Sequence, residues 1–208
     1  MPTAPAETLQ LLDWKRRIFG LYAEVRAATD AAMACAHWQA TRRELFAKHP
    51  QSPIPAVERD AYEGPHHFPH DPAVRVKAEV IEIESQVLEG PSSGPEPFRM
   101  TRFAEARFSL YGESRSLDLH WLEGYGGGLF VPFTDATSGH ESYGGGRYLL
   151  DTVKGSDLGM AGGRLVLDFN LAYQPSCSYD PRWACPLAPP GNRLDVRVEA
   201  GERLASAT

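Results

Sequence analysis

The stretch Pro132 to Leu150, PFTDATSGHESYGGGRYLL, places Asp135, Thr137, Ser138, His140, Glu141, Ser142 and Tyr143 within nine residues and follows them with three glycines and Arg147. Apolar alternation marks a strand, and none precedes Tyr148, so this stretch is expected to be a loop. Its side chains suit proton transfer. Glu141 and Asp135 can act as acid and base where their surroundings split their pKa values, with Tyr143 or His140 as proton donor. The guanidinium of Arg147 matches a carboxylate or phosphate in bidentate fashion, and Gly144 to Gly146 permit close backbone approach. Two roles stand open for Arg147: it holds an anionic substrate, or it pins the loop by pairing with Asp135 or Glu141. For Asp135 a side-chain-to-backbone turn with Thr137 is the favoured role. The glycines lack the strand–GxGxxG–helix setting of a nucleotide fingerprint, and Ser109 and Ser138 lack a GxSxG setting.

Further candidates lie downstream. Asp168 and Asn170 share one face of an expected strand over residues 164–173, with Tyr173 at its end. A hairpin joining that strand to Tyr148–Leu150 would bring Asn170 to Arg147, because consecutive strands are usually neighbours. Cys177 and Cys185 sit eight apart in a proline-rich segment without CxxC spacing. Packed thiols come first for this pair, then a redox disulfide, then a metal pair completed by histidine. His66, His67, His70 and Asp71 form a second cluster. Adjacent histidines followed by Pro69 lack the i, i+4 geometry of a preformed helical metal site, so no metal or other cofactor is expected.

These residues need a scaffold. Residues 7–48 carry a helical pattern, with Leu11, Trp14, Ile18, Leu21, Tyr22 and Val25 on one face. Thr29 or Asp30 can cap a second helix, so one helix or two remain open. Leu11, Trp14, Ile18 and Tyr22 are expected to pack on the rest of the chain or on a second copy, making a homo-oligomer through these helices. Prolines 53, 55, 65, 69 and 72 keep residues 49–73 extended. From Val74 the period becomes two. Val74, Val76, Ala78 and Val80 alternate, then Ile81 and Ile83 on the other parity, which predicts a bulge or bend between Val80 and Ile81. Met100, Ala104, Ala106, Phe108 and Leu110 share a face; Tyr111-Gly112-Glu113-Ser114 is a turn; Leu117, Leu119 and Trp121 alternate with Asp118 and His120. Leu129 to Phe133 is a short buried strand, and Leu194, Val196 and Val198 mark a last one. The fold class is therefore mainly β (α+β overall): a helical segment over residues 1–49, then an antiparallel barrel or sandwich meander over 50–204. No βαβ alternation follows residue 74, which argues against a parallel sheet.

Bulk properties narrow the partners. Of 208 residues, 42% are hydrophobic, enough for a globular core. A net charge of −6 disfavours nucleic acid. No apolar run is long enough to span a membrane, and the first residues lack a secretory h-region. Three cysteines make no disulfide framework, which suits the cytoplasm.

The order PFTDATSGHESYGGGRYLL, then LVLDFNLAYQPSCSYDPRWACPLAPPGNRLDVRVEAGE, resembles the bacterial family called domain of unknown function 1684, as do SPIPAVERDAYEG and HFPHDPAVRVKAE. The likeness covers about residues 44–202. Ser142 stands where the family pattern D-x-T-x-G-x-E-T-Y-G-G-G-R-Y has threonine. His67-Phe68-Pro69-His70-Asp71 replaces the tyrosine-rich Y-F-P-Y-D, so the histidine cluster departs from the family pattern. The resemblance implies no activity. The functional expectation comes from the residues: a soluble cytoplasmic enzyme acting on a small polar or anionic molecule. In it Arg147 binds the anion, Glu141 and Tyr143 move protons, and Asn170 orients the substrate; Asp135, His140, Asp168, Tyr173 and Cys177 complete the site. The alternative is a non-catalytic ligand-binding or interaction protein using the same pocket.

Overall fold

The computed structural model describes residues 4–205. The leader is two helices, α1 (Pro5–Ala27) and α2 (Ala31–Lys48). The break falls at Ala28 to Asp30. Ala28 is extended, and Asp30 caps α2 by accepting from the amides of Ala32 at 2.9 Å and Met33 at 3.0 Å. Ile18, Leu21, Tyr22 and Val25 of α1 are buried, as are Cys35, Trp38, Leu45 and Phe46 of α2. The leader reaches the later chain through specific pairs. Arg26 donates to the Asp157 carbonyl at 2.6 Å, and Phe46 meets Tyr179 edge-on at 5.3 Å.

The strands are β1 (His66–His67), β2 (Arg75–Gly90), β3 (Phe98–Leu110), β4 (Glu113–Leu122), β5 (Gly128–Phe133), β6 (Arg147–Asp151), β7 (Met160–Ala161), β8 (Arg164–Asp168) and β9 (Glu202–Arg203). Seven form one antiparallel sheet in the order β6-β5-β4-β3-β2-β8-β7, and β1 pairs with β9 in a separate ribbon. The sheet curls into a half-barrel, and an isolated antiparallel bridge between Tyr148 and Tyr173 joins β6 to the chain beyond β8. Met100, Ala104, Ala106, Phe108, Leu110, Leu117 and Leu119 fill its concave side with Phe130, Phe133 and Phe169. The Phe133 and Phe169 rings meet at 5.2 Å, 86° apart. Tyr111 and Gly112 both take positive φ, 53° and 80°, as a two-residue hairpin turn requires.

Five local expectations are corrected. Val80↔Ala106 and Ile81↔Glu105 pair without interruption, and the register shift of β2 lies between Glu82 and Gln86. Ile81 and Ile83 therefore occupy the face opposite Ala78, each half-buried. In β4, His120 is buried and Trp121 is 45% exposed, because the β3–β4 ladder shifts between Arg102 and Ala104 and reverses the alternation. The strand expected over residues 164–173 ends at Asp168. That carboxylate accepts from the Asn170 amide at 3.0 Å and turns Phe169–Leu171 into a 3-10 helix. The partners of β8 are β2 and β7, not β6, with β2 in the register Arg75↔Asp168 to Ala78↔Leu165. The fifth correction concerns residues 194–198, which form no strand and are held by the candidate loop.

Candidate functional site

Loop 134–146 divides into two centres. The first is Asp135 with Arg147, both fully buried at the side chain. Asp135 accepts from Thr137 Oγ1 at 2.8 Å, Ser138 Oγ at 3.2 Å and the Thr137 amide at 3.3 Å, which is the side-chain-to-backbone turn expected of it. Its remaining capacity goes to the Val198 amide at 2.7 Å and to Arg147 Nη2 at 3.2 Å. Arg147 also donates to the carbonyls of Val198 at 2.9 Å, Glu202 at 3.2 Å and Ala200. Its Nε has no hydrogen-bond partner among the described residues, and that atom is sealed from solvent.

Together these two side chains do for residues 198–202 what a neighbouring strand would do, satisfying one amide and three carbonyls. Residues 194–198 thus alternate in sequence without entering a sheet. Backbone bonds to Thr134 and Ala136 fix the earlier part of the segment. Burial lowers the Arg147 pKa, Asp135 opposes that, and the Phe133 ring lies 5.0 Å from the guanidinium carbon. The geometry makes Arg147 and Asp135 a structural pair, which corrects the anion-binding and substrate-binding roles expected of them.

The second centre is Tyr143. Its amide donates to Gln174 Oε1 at 3.0 Å, and its phenol oxygen lies 3.6 Å from Cys177 Sγ. Cys177 is half-buried on the 3-10 turn Ser176–Ser178, which the Ser178 amide closes onto Pro175 O at 2.9 Å. Cys185 is buried. The position of Cys185 is set from outside its own segment. Ser93 Oγ accepts from the Cys185 amide at 2.9 Å, the Ser93 amide donates to Cys185 O at 3.0 Å, and the Tyr148 hydroxyl donates to Pro186 O. A hydrogen bond from Cys185 brings the Cys177 thiol down to about 6 against the cost of burial, with Ser93 and Tyr143 adding to the effect. The Cys185 thiol moves the opposite way, held on its sulfur first by the bond to Cys177 and then by burial. Burial and then the bond to Cys177 push the Tyr143 phenol up to about 12, so it stays a proton donor at neutral pH.

The other predicted residues scatter. Glu141 is half-exposed and pairs with Arg197 at 2.7 Å; His140 is exposed. Asp168 binds Arg75 at 2.7 Å, and Asn170 brackets Asp71, accepting from its amide at 2.9 Å and donating to its carbonyl at 2.8 Å. These contacts hold β2 and the chain before it, so they share no site with Tyr143. Tyr173 is buried, its ring 4.8 Å from the guanidinium carbon of Arg42. Arg42 in turn binds Glu202 at 2.6 Å, with both side chains nearly sealed. Burial works against the Arg42 charge, and Glu202, Tyr179 and Tyr22 together more than offset it. Glu202 also accepts from the Gln174 amide at 2.8 Å and the Tyr179 hydroxyl at 3.0 Å, which links this pair to the base of Tyr143. Sequence inspection missed Arg42, Gln174 and Glu202 altogether. A lone arginine on a helix and a glutamate near the C-terminus carry no spacing signal.

No curated protein matches the chain. Among solved structures, the solution NMR structure of an uncharacterized protein from Haloarcula marismortui is 39% identical, with a TM-score of 0.58 over 81% of this chain and 93% of that one. The family profile spans β1 through β9 and includes both centres. The chain thus belongs to the family described as "Protein of unknown function (DUF1684)", whose profile matches residues 60–203.

Proposed function

We propose that the chain is an enzyme acting on a small polar molecule, with Cys177 as nucleophile and Tyr143 as its proton donor. The observation that carries this is the 3.6 Å approach of the Tyr143 phenol to a half-buried Cys177 sulfur. A thiolate is the nucleophilic form of cysteine, and the lowered Cys177 pKa gives that form at neutral pH. A phenol that remains protonated beside it can return a proton to a leaving group. Free thiols of this kind suit a reducing compartment, so we place the chain in the cytoplasm. The chemistry draws on no metal.

The test uses p-nitrophenyl acetate as a probe electrophile. The expected result is a stoichiometric burst of nitrophenol that rises through pH about 6 with the Cys177 thiolate. Cys177→Ser should abolish it and leave the melting curve in place. A burst unchanged in Cys177→Ser would remove Cys177 from the role.

A second reading, a ligand-binding protein, is favoured by the open groove of about 780 Å³ between α2 and the β1–β9 ribbon. Arg43, His66, His67, His70 and Arg203 line it. Citrate or phosphate should then raise the melting temperature without turnover, and Arg43→Ala should cancel that shift.

A further inference from the structure

We infer that Glu202 is the positioning residue of the Tyr143–Cys177 pair, acting on the phenol through Gln174 and on the thiol through both flanks of its turn. This rests on Cys177 being the nucleophile proposed above, and it adds the residue that sets the geometry of the site from outside it.

The two oxygens of the Glu202 carboxylate have separate partners. Oε1 accepts from Arg42 Nε at 2.8 Å and from Arg42 Nη2 at 2.6 Å. Oε2 accepts from the Gln174 amide at 2.8 Å and from the Tyr179 hydroxyl at 3.0 Å. Gln174 and Tyr179 stand on either side of the 3-10 turn Ser176–Ser178 that carries Cys177, so one oxygen ties both flanks of that turn. Gln174 then reaches the other partner. Its Oε1 accepts from the Tyr143 amide at 3.0 Å, and its Nε2 donates to Arg203 O at 3.3 Å. The same end of the chain holds the Tyr143 loop a second time, because the Leu204 amide donates to Glu141 O at 2.8 Å.

The carboxylate that holds these segments is itself fixed. Glu202 is sealed from solvent, pairs with His67 in the β1–β9 ribbon and donates its amide to Ala172 O at 2.8 Å. The Arg42 guanidinium carbon lies 4.9 Å from the Trp38 and Phe46 rings and 4.8 Å from that of Tyr173. A sealed ion pair stabilises a fold little more than apolar side chains of the same volume, because both charges give up their water. What it supplies is a fixed direction for its oxygens, and Glu202 Oε2 is directed at the Cys177 turn and at Gln174. The Asp135–Arg147 pair is the contrast: beyond its own loop its bonds go to the backbone of residues 198–202, and none is made to the segment carrying Cys177. A hydrogen-bond donor stabilises a thiolate only while it is held at bonding distance, so the reactivity of Cys177 depends on how firmly Tyr143 is held.

The experiment follows iodoacetamide alkylation of the full-length protein across pH, reading the Cys177 peptide by mass mapping and stability by urea unfolding. Gln174→Met keeps the backbone amide bonded to Glu202 and removes the acceptor that holds Tyr143. The expected result is a Cys177 midpoint raised by about one pH unit, with the rate at pH 6 lowered about fivefold. Tyr179→Phe removes one hydroxyl from Glu202 and should move the midpoint in the same direction, and it serves as the test should Gln174→Met fail to fold. Asp30→Ala is the control. It takes away the cap at the far end of α2, so it should lower the urea midpoint and leave the Cys177 midpoint in place. An unmoved Cys177 midpoint in Gln174→Met and Tyr179→Phe, or an equal shift in Asp30→Ala, overturns Glu202 as the positioning residue and leaves the nucleophile standing. A wild-type Cys177 that titrates as an ordinary thiol overturns both.

Discussion

Asp135 and Tyr143 come from one short loop, yet the pairs they form with Arg147 and Cys177 are opposite kinds of site. In the first, a carboxylate and a guanidinium are sealed from solvent, and nearly every donor and acceptor is committed to backbone or to the other partner. In the second, a phenol and a thiol lie half-buried, in contact with each other, with capacity left for an incoming molecule. The comparison teaches that charge and residue type do not by themselves make a candidate site; they must also be left uncommitted by the fold. A buried charge must be matched where it stands, and a matched charge has nothing left to offer a substrate.

The comparison can be broken first at Arg147. Arg147→Met strands Asp135 as an unpaired buried charge and frees the carbonyls of Val198, Ala200 and Glu202. The expected loss is about 3–5 kcal/mol of stability, read as a fall in the urea midpoint. A variant that stays folded but loses only ligand binding would return Arg147 to the anion-binding role.

Two consecutive glycines then separate the centres. Gly146 has φ +94°, and a Cβ there would lie 2.6 Å from Phe133 O, so Gly146→Ala should cost about 1–3 kcal/mol by the same measurement. At Gly145 an added Cβ would meet the Tyr143 ring at 2.6 Å and Leu187 Cδ2 at 2.8 Å, both ends of side chains that can move. Gly145→Ala should leave the urea midpoint nearly in place and displace the phenol. Since that phenol stabilises the thiolate, the midpoint of Cys177 alkylation should rise from about 6, and the rate at pH 7 should fall. Iodoacetamide kinetics across pH measure this, and an unmoved midpoint would detach Tyr143 from the thiol.

The smallest effect is expected at Glu141. Its pair with Arg197 is at the surface, so Glu141→Gln should change stability by less than about 1 kcal/mol and leave the Cys177 profile alone. Loss of the nitrophenol burst in Glu141→Gln would instead restore the acid–base role read from the sequence and redraw the boundary between the centres.

Much of the scaffold is legible in the residues alone, because it follows from local periodicity. The inward face of β3 and the Tyr111-Gly112 turn come from alternation and from positive-φ preference, which neighbouring residues determine. The turn at Asp135 comes from its side chain's reach to the Thr137 amide, whereas the leader's residues leave one helix or two open and the cap at Asp30 decides for two. What no local pattern carries is the identity of distant partners. Only the tertiary structure gives Arg147 the carbonyls of residues 198–202 to satisfy. Only the tertiary structure turns His120 inward through the ladder shift on β3, fastens Cys185 to Ser93 and brings the Tyr143 phenol to Cys177. A guanidinium or a thiol has the same chemistry in any sequence. What it does is settled by which groups the fold brings within hydrogen-bonding distance and by how much water it leaves there.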